Sequence, residues 1–198
     1  DIRGIDFVDA LNGCAVGVLP ALLGDPTEGF SLVTSDGGAT WTFVSSILPA
    51  PAGSIDFSDG LTGWAVGGRG YVAKTINGGL DWTTIDVGET ADLFDVFFVS
   101  ADTGWIVGDL GVILKTTNAG ADWIGEPIHS TIKSLASVHF INGSEGWAVG
   151  DVGTILRTAD GGDSWTPQPP PVGHDLRGVF MYSSTLGWAV GKFGDIFH

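Results

Sequence analysis

The sequence predicts an all-β protein, a β-propeller of four-stranded antiparallel blades with about five blades in its 198 residues. Three observations carry this. All eight tryptophans occupy two slots of one repeating unit. Four sit in a Gly-Trp-(Ala/Ile)-Val-Gly pentad, Trp64, Trp105, Trp147 and Trp188; four close a turn string, Thr-x-(Asp/Asn)-x-Gly-x-(Thr/Ser/Asp)-Trp, at Trp41, Trp82, Trp123 and Trp165. Both patterns recur in steps of 41 or 42 residues, a period that marks solenoids, propellers and arrays. The third observation is apolar spacing of two, the period of a strand and not of a helix.

The elements follow in order. Ten residues before each pentad lies a segment with a β-branched column (Ile5, Ile55, Val96, Val138, Val179) and, two residues on, a Phe or Met column (Phe7, Phe57, Phe98, Phe140, Met181). This reads as the innermost strand. A fifth copy of the pentad, Gly13 to Gly17, carries Cys14 in the tryptophan slot. In the third unit the four strands are expected at about Leu93–Val99, Trp105–Gly108, Val112–Thr117 and Asp122–Gly125. Glycine-bracketed connections such as Gly67-Gly68-Arg69-Gly70 and Gly108-Asp109-Leu110-Gly111 join the second strand to the third, glycine supplying the positive φ of a hairpin turn. Segments apolar on both faces, such as Leu93 to Val99, point to sheets packed between neighbours. About forty residues in four antiparallel strands describe a propeller blade. The expected blades are 1–50, 51–91, 92–133, 134–174 and 175–198, the last truncated, in a single propeller domain.

Composition excludes several functions. A net charge of −15, from 23 acidic and 8 basic side chains, lacks the clustered cations of a nucleic-acid surface. No apolar run is long enough for a membrane-spanning helix, so no membrane insertion is expected. The lone Cys14 rules out an internal disulfide framework. The acidic balance and the triplet Asn142-Gly143-Ser144 suit an extracytoplasmic protein, whether secreted, periplasmic or at the cell surface.

In the turn strings, Asp36, Asn77, Asn118 and Asp160 are expected to bond turn amides, with Trp41, Trp82, Trp123 and Trp165 packing beneath. A calcium site needs several convergent oxygens and each string offers one strong ligand, so no metal and no cofactor are expected. A basic residue precedes three of the strings, Lys74, Lys115 and Arg157, where the first unit has Val33. This stripe is either a ligand surface or a set of cations pairing with nearby carboxylates. Arg3 and Arg177 share one slot before the innermost strand, at an expected channel mouth. Among the carboxylates, Asp95 with Asp6 or Asp56 is the least implausible glycosidase pair. The four histidines lack metal-ligand spacing.

One interruption breaks the repeat. From the last pentad glycine to the string threonine is 8 residues in three units and 17 in the first. The added residues fall within Val18–Gly29 and include Leu19, Leu22 and Leu23, an apolar loop expected to contact a partner.

The run Gly146-Trp147-Ala148-Val149-Gly150 leading to Thr158-Ala159-Asp160-Gly161-Gly162-Asp163-Ser164-Trp165 resembles the photosystem II stability and assembly factor family. That family belongs to the bacterial-neuraminidase-repeat propellers, whose turn string is the Asp-box. The resemblance implies a seven-bladed ring, so this chain is expected to be a segment of a longer one. It also implies arginine-rich patches for protein partners, whereas this chain has only Arg3, Arg69, Arg157 and Arg177. A sialidase-type enzyme would need three converging arginines and a Tyr–Glu nucleophile pair; the only tyrosines are Tyr71 and Tyr182. The expected function is a non-enzymatic binding or scaffold propeller for protein–protein contacts or self-assembly. A glycan-binding or sialidase-like glycoside hydrolase propeller is the alternative.

Overall fold

The computed structural model describes residues 1–19, 28–44, 48, 50–126, 130–169 and 173–198. Leu22 and Leu23 lie outside the described residues. Backbone contacts divide the chain into two compact units, Asp1–Ala101 and Asp102–His198.

The first unit holds β1 (Ile2–Phe7), β2 (Gly13–Val18), β3 (Gly29–Thr34), β4 (Thr42–Phe43), β5 (Ala52–Phe57), β6 (Gly63–Gly67), β7 (Val72–Thr75), β8 (Thr83–Ile85) and β9 (Leu93–Phe98). β1 to β4 form one antiparallel sheet in sequence order, and β5 to β8 form the next. The second unit holds β10 (Gly104–Gly108), β11 (Ile113–Thr116), β12 (Ile124–Gly125), β13 (Leu135–Phe140), β14 (Gly146–Gly150), β15 (Ile155–Thr158), β16 (Thr166–Pro167), β17 (Leu176–Ser183), β18 (Leu186–Gly191) and β19 (Ile196–Phe197). There β13 to β16 make a four-stranded sheet and β17 to β19 a three-stranded one. The strands follow the expected positions in the third repeat, but the outermost strand is only two residues long, Ile124–Gly125.

The pentad makes the second strand of each sheet, and in β6, β10 and β14 all five residues are buried. Each pentad strand packs on the innermost strand that follows it: within the first unit β2 packs on β5 and β6 on β9, and within the second β10 packs on β13 and β14 on β17. The first pentad glycine is steric. A Cβ on Gly63 would stand 2.7 Å from the Phe57 ring, and one on Gly146 would stand 2.5 Å from Phe140. The phenylalanine therefore lies flat over bare backbone.

Both tryptophan slots converge on the phenylalanine column. In the second unit Trp105, from the preceding repeat, stacks on Phe140 with centroids 3.4 Å apart and planes 8° apart. Trp165, from the same repeat as Phe140, meets it edge-on at 5.8 Å and 86°. The first unit shows the halves separately: Trp64 stacks on Phe98 at 3.6 Å, and Trp41 meets Phe7 edge-on at 5.9 Å. Such ring pairs add to the area they bury, which is why tryptophan alone fills these slots in four repeats.

A polar latch joins consecutive innermost strands. The Asp6 carboxylate accepts the Phe57 N–H at 2.9 Å, and the Asp56 carboxylate accepts the Phe98 N–H at 2.6 Å. In the second unit His139 Nδ1 takes the same role for the Met181 N–H at 3.3 Å. Each latch satisfies a strand N–H that its own sheet leaves open.

The hairpin turns refine one expectation. Glycine is not the only residue there with positive φ: Arg69, Leu110, Val152 and Phe193 sit at φ 58°, 55°, 56° and 63°. The following glycine continues the turn, as Gly70 does at φ 70°. The leading glycine is extended, and a Cβ on Gly67 would run into the Pro51 carbonyl.

Candidate functional site

The first unit contains a cleft of about 1270 Å³. Its described walls come from the start of β1 (Arg3), the end of β2 (Val18, Leu19), the turn from Gly67 to Tyr71, the end of β8 (Thr84, Ile85) and the start of β9 (Leu93, Phe94). Apolar, basic and acidic groups meet here, the acidic ones being Asp1, Asp86, Glu89 and Asp92. Asp92 accepts the Arg69 N–H at 2.9 Å, and Gly70 N–H donates to the Ala91 carbonyl at 2.7 Å, so the turn is pinned and its tip residue is presented outward. Glu89 is spent likewise on the N–H groups of Thr90 and Ala91.

Arg3 and Arg69 are both exposed, and among the described residues neither forms an ion pair with a carboxylate. In a chain of net charge −15 that is unusual. Tyr71 is buried at the cleft base, and burial pushes its phenol up to about 12, so it remains a neutral hydroxyl. Arg69, Tyr71 and Phe94 were not singled out from the sequence as binding residues. The tip position of a glycine-bracketed turn was the available signal for Arg69.

Arg177 shares Arg3's slot but not its environment. It pairs with Asp175 at 2.8 Å and Asp151 at 3.2 Å, and Lys192 joins Asp175 at 2.7 Å. The basic stripe is placed by register. Lys74 lies opposite Trp64, Lys115 opposite Trp105 and Arg157 opposite Trp147, with Val33 opposite Cys14. Lys74 sits 5.0 Å above the Trp64 ring and Arg157 5.4 Å above Trp147, both cation–π contacts. Lys115 pairs with Asp163 at 2.7 Å. Leu19 reaches the cleft wall, where its N–H extends the β2–β3 hairpin to Glu28 at 3.1 Å.

The Asp-boxes are closed hydrogen-bonded loops. Thr34 Oγ1 donates to Asp36 at 2.8 Å and accepts the Gly38 N–H at 3.0 Å, while Asp36 accepts the Thr40 N–H at 2.9 Å. Asn77, Asn118 and Asp160 repeat this with Asp81, Asp122 and Ser164. Trp82 and Trp123 are half-buried and Trp165 is buried. Among the described residues no group of three or more His, Cys, Asp or Glu side chains is placed to hold a metal, and no helix is long and apolar enough to cross a membrane.

Of the carboxylates weighed as a catalytic pair, Asp6 and Asp56 are occupied by the strand latches and Asp95 accepts from Ser54 Oγ at 2.8 Å. Burial pushes Asp56 up to about 8, its Phe98 hydrogen bond lowers it, and Asp6 and Asp95 raise it further by repulsion. None of the three lines the cleft.

Stacked repeats of this kind define the class: an Asp-box β-propeller. Within it, residues 39–130 match the model of the photosynthesis system II assembly factor YCF48 family, in line with the resemblance carried by the repeat. No curated protein matches the chain in sequence. Among solved structures, YCF48 bound to D1 peptide matches with TM-score 0.73 and 20% identity, over 98% of this chain and 62% of that one. The GH74 enzyme of Niastella koreensis matches with TM-score 0.63 and 18% identity, over 99% and 35% of the two chains. An ancestral GH74 enzyme matches with TM-score 0.60 and 16% identity, over 93% and 32%. The chain thus spans 62% of the YCF48 structure and about a third of each enzyme. At these identities the likeness is one of fold.

Proposed function

We propose that this protein is a non-enzymatic, protein-binding assembly propeller that holds a peptide segment of its partner in the first-unit cleft. The observation that carries this reading is the pair of guanidinium groups, Arg3 and Arg69, which form no ion pair among the described residues and stand on a cleft with apolar walls at Leu19, Ile85 and Phe94 and carboxylates at Asp1, Asp86, Glu89 and Asp92. Guanidinium forks bind carboxylates bidentately, and apolar walls hold the intervening side chains. The D1 peptide on the similar YCF48 structure makes a peptide the natural class of ligand. Leu19 lies on the same wall, and a contact role for Leu22 and Leu23 is proposed from the sequence alone.

The GH74 likeness keeps a glycan-active propeller as the alternative. Against it, Asp6 and Asp56, two of the carboxylates weighed as a catalytic pair, already accept backbone N–H groups and lie away from the cleft. An extracytoplasmic location is proposed from the charge of −15.

The test is a titration with a fluorescent D1 peptide at low and high salt. Binding weakened at least tenfold by the Arg3→Ala/Arg69→Ala double substitution supports the reading. Equal binding by the double variant overturns the site, and reducing sugar released from a polysaccharide panel overturns the non-enzymatic assignment.

A further inference from the structure

In the second unit, the boundary between the third and fourth repeats is filled by two long side chains of the earlier repeat. Trp105 stacks on Phe140 and donates its Nε1–H to the Gly161 carbonyl at 3.1 Å; Lys115, opposite it on the next strand, reaches Asp163 at 2.7 Å. In the first unit, the boundary between the first and second repeats carries Cys14, Val33, Phe57, Gly78 and Leu80 at the positions of Trp105, Lys115, Phe140, Gly161 and Asp163. Both long side chains are replaced by short ones there, and the acidic end of the ion pair by leucine. The Cys14 thiol lies against the turn string, since a Cβ on Gly79 would stand 2.6 Å from Sγ. It does not fill the place of an indole. Phe57 stays half-buried, whereas Phe98 beneath Trp64 is 7% exposed and Phe140 2%. A slot of about 290 Å³ remains, walled by Cys14, Val33, Phe57, Gly78 and Leu80, with Thr40 and Thr42 exposed at its mouth.

We propose that this slot binds a small planar aromatic molecule with a ring N–H, of the indole class, where the equivalent boundary holds its own tryptophan. Each wall matches one part of that ligand. The Gly63 backbone covers one face of Phe57, a Cβ there standing 2.7 Å from the ring, so the other face is turned to the slot for stacking. The Gly78 carbonyl receives no hydrogen bond from a described residue, and its counterpart, the Gly161 carbonyl, accepts an indole N–H. Val33, opposite Cys14 in register, and Leu80, 51% exposed, make the sides apolar where the other boundary has an ion pair. Apolar cavities of even ~150 Å³ stay dry and take up aromatic rings. The volume sits at the lower end of small-ligand pockets, roughly 300 Å³, which suits a free bicyclic ring better than a ring with a partner's main chain behind it. The slot shares no lining residue with the cleft that holds Arg3 and Arg69, so it does not rest on the peptide reading.

The experiment titrates the 198-residue chain with indole and with N-methylindole by calorimetry. Indole is expected to saturate a single site, and N-methylindole to bind about fivefold more weakly for want of one hydrogen bond. Cys14→Trp supplies the missing ring from within and is expected to weaken indole binding roughly tenfold or more. Because Cys14 is buried, a second variant, Val33→Lys with Leu80→Asp, rebuilds the Lys115–Asp163 cover at the more open positions and should weaken binding in the same direction. Circular dichroism checks the fold of both. Absence of saturable indole binding by wild type overturns the proposal, and so does undiminished binding by either folded variant. Equal affinity for the two indoles overturns the placement on the Gly78 carbonyl. A tryptophan-bearing peptide that binds where free indole does not overturns the small-molecule reading and gives the slot to a partner's side chain.

Discussion

Asn77 donates its Nδ2 to the Asp81 carboxylate at 2.9 Å, and the polarity of that bond is reversed in half of the Asp-boxes. Asn118 donates to Asp122 at 2.8 Å in the same way. Where the box residue is an aspartate it accepts instead, Asp36 from the Thr40 hydroxyl and Asp160 from the Ser164 hydroxyl, both at 2.6 Å. The two positions, four residues apart, are one chemical unit: a donor amide needs a carboxylate opposite, and a carboxylate needs a hydroxyl.

Asn77→Asp therefore places two carboxylates face to face and should destabilise the first unit by about 1 kcal/mol. Asp81→Thr added to it should restore most of the loss by recreating the first box. A double-mutant cycle in urea measures the coupling. Additive effects would show that the two side chains act independently.

The boxes should also give a pH signature. Hydrogen bonds from Thr40, and then from Thr34, hold Asp36 down at about 2, and those from Ser164 do the same for Asp160. Their folded values lie below the ordinary 3.8, so this stabilisation is present above pH 3.8 and lost as pH falls toward 2. Thr40→Val combined with Ser164→Ala should shift the acid-unfolding midpoint upward, followed by fluorescence. An unchanged midpoint would detach the boxes from acid stability.

Asp56 acts in the opposite direction. Its folded value of about 8 lies above 3.8, so its contribution is fully present below pH 3.8 and lost as pH rises through 8. Asp56→Asn retains an oxygen for the Phe98 N–H and cannot ionise. The variant should gain on wild type steadily from pH 5 to pH 9 in urea melts. Parallel curves for the two proteins would refute a buried, protonated Asp56.

Phe140→Ala should cost about 3–5 kcal/mol, since the ring lies between Trp105 and Trp165. Phe7→Ala should cost markedly less, because that ring has one edge contact and is 40% exposed. Chelator should leave the melting temperature of either variant and of wild type unchanged.

Cys14 is 1% exposed, and burial, with Asp6 adding repulsion, pushes its thiol up to about 12. An aromatic disulfide reagent should label it only after denaturation. Labelling of the native protein within minutes would show that the first repeat opens.

The strand layout was legible because every repeat restates it at the same offset. The Lys74–Trp64 pairing was legible too in principle, as the ten-residue offset recurs at Trp105 and Lys115 and at Trp147 and Arg157. The Phe140 sandwich was not, since its partners come from positions 35 residues before and 25 after, and only packing brings them together. The latch left a trace in the shared column of Asp6, Asp56 and His139, but a carboxylate on an innermost strand reads equally as a solvated group until its N–H partner is seen. The cleft was the least legible part. It is assembled from turn tips and strand ends whose proximity no periodicity encodes.

The left-handed tips of the hairpin turns have a consequence for how such a protein diversifies. Arg69, Leu110, Val152 and Phe193 share one backbone conformation while differing in charge, size and polarity. The strain of that conformation is carried by its frame, the neighbouring glycines and cross-turn hydrogen bonds such as Gly67 N–H to the Tyr71 carbonyl at 2.9 Å. The tip side chain is thereby uncoupled from folding, and each repeat offers one address where surface chemistry can be rewritten at little structural risk. A lineage could acquire or discard a recognition residue there, one repeat at a time, without disturbing the buried strands that carry it.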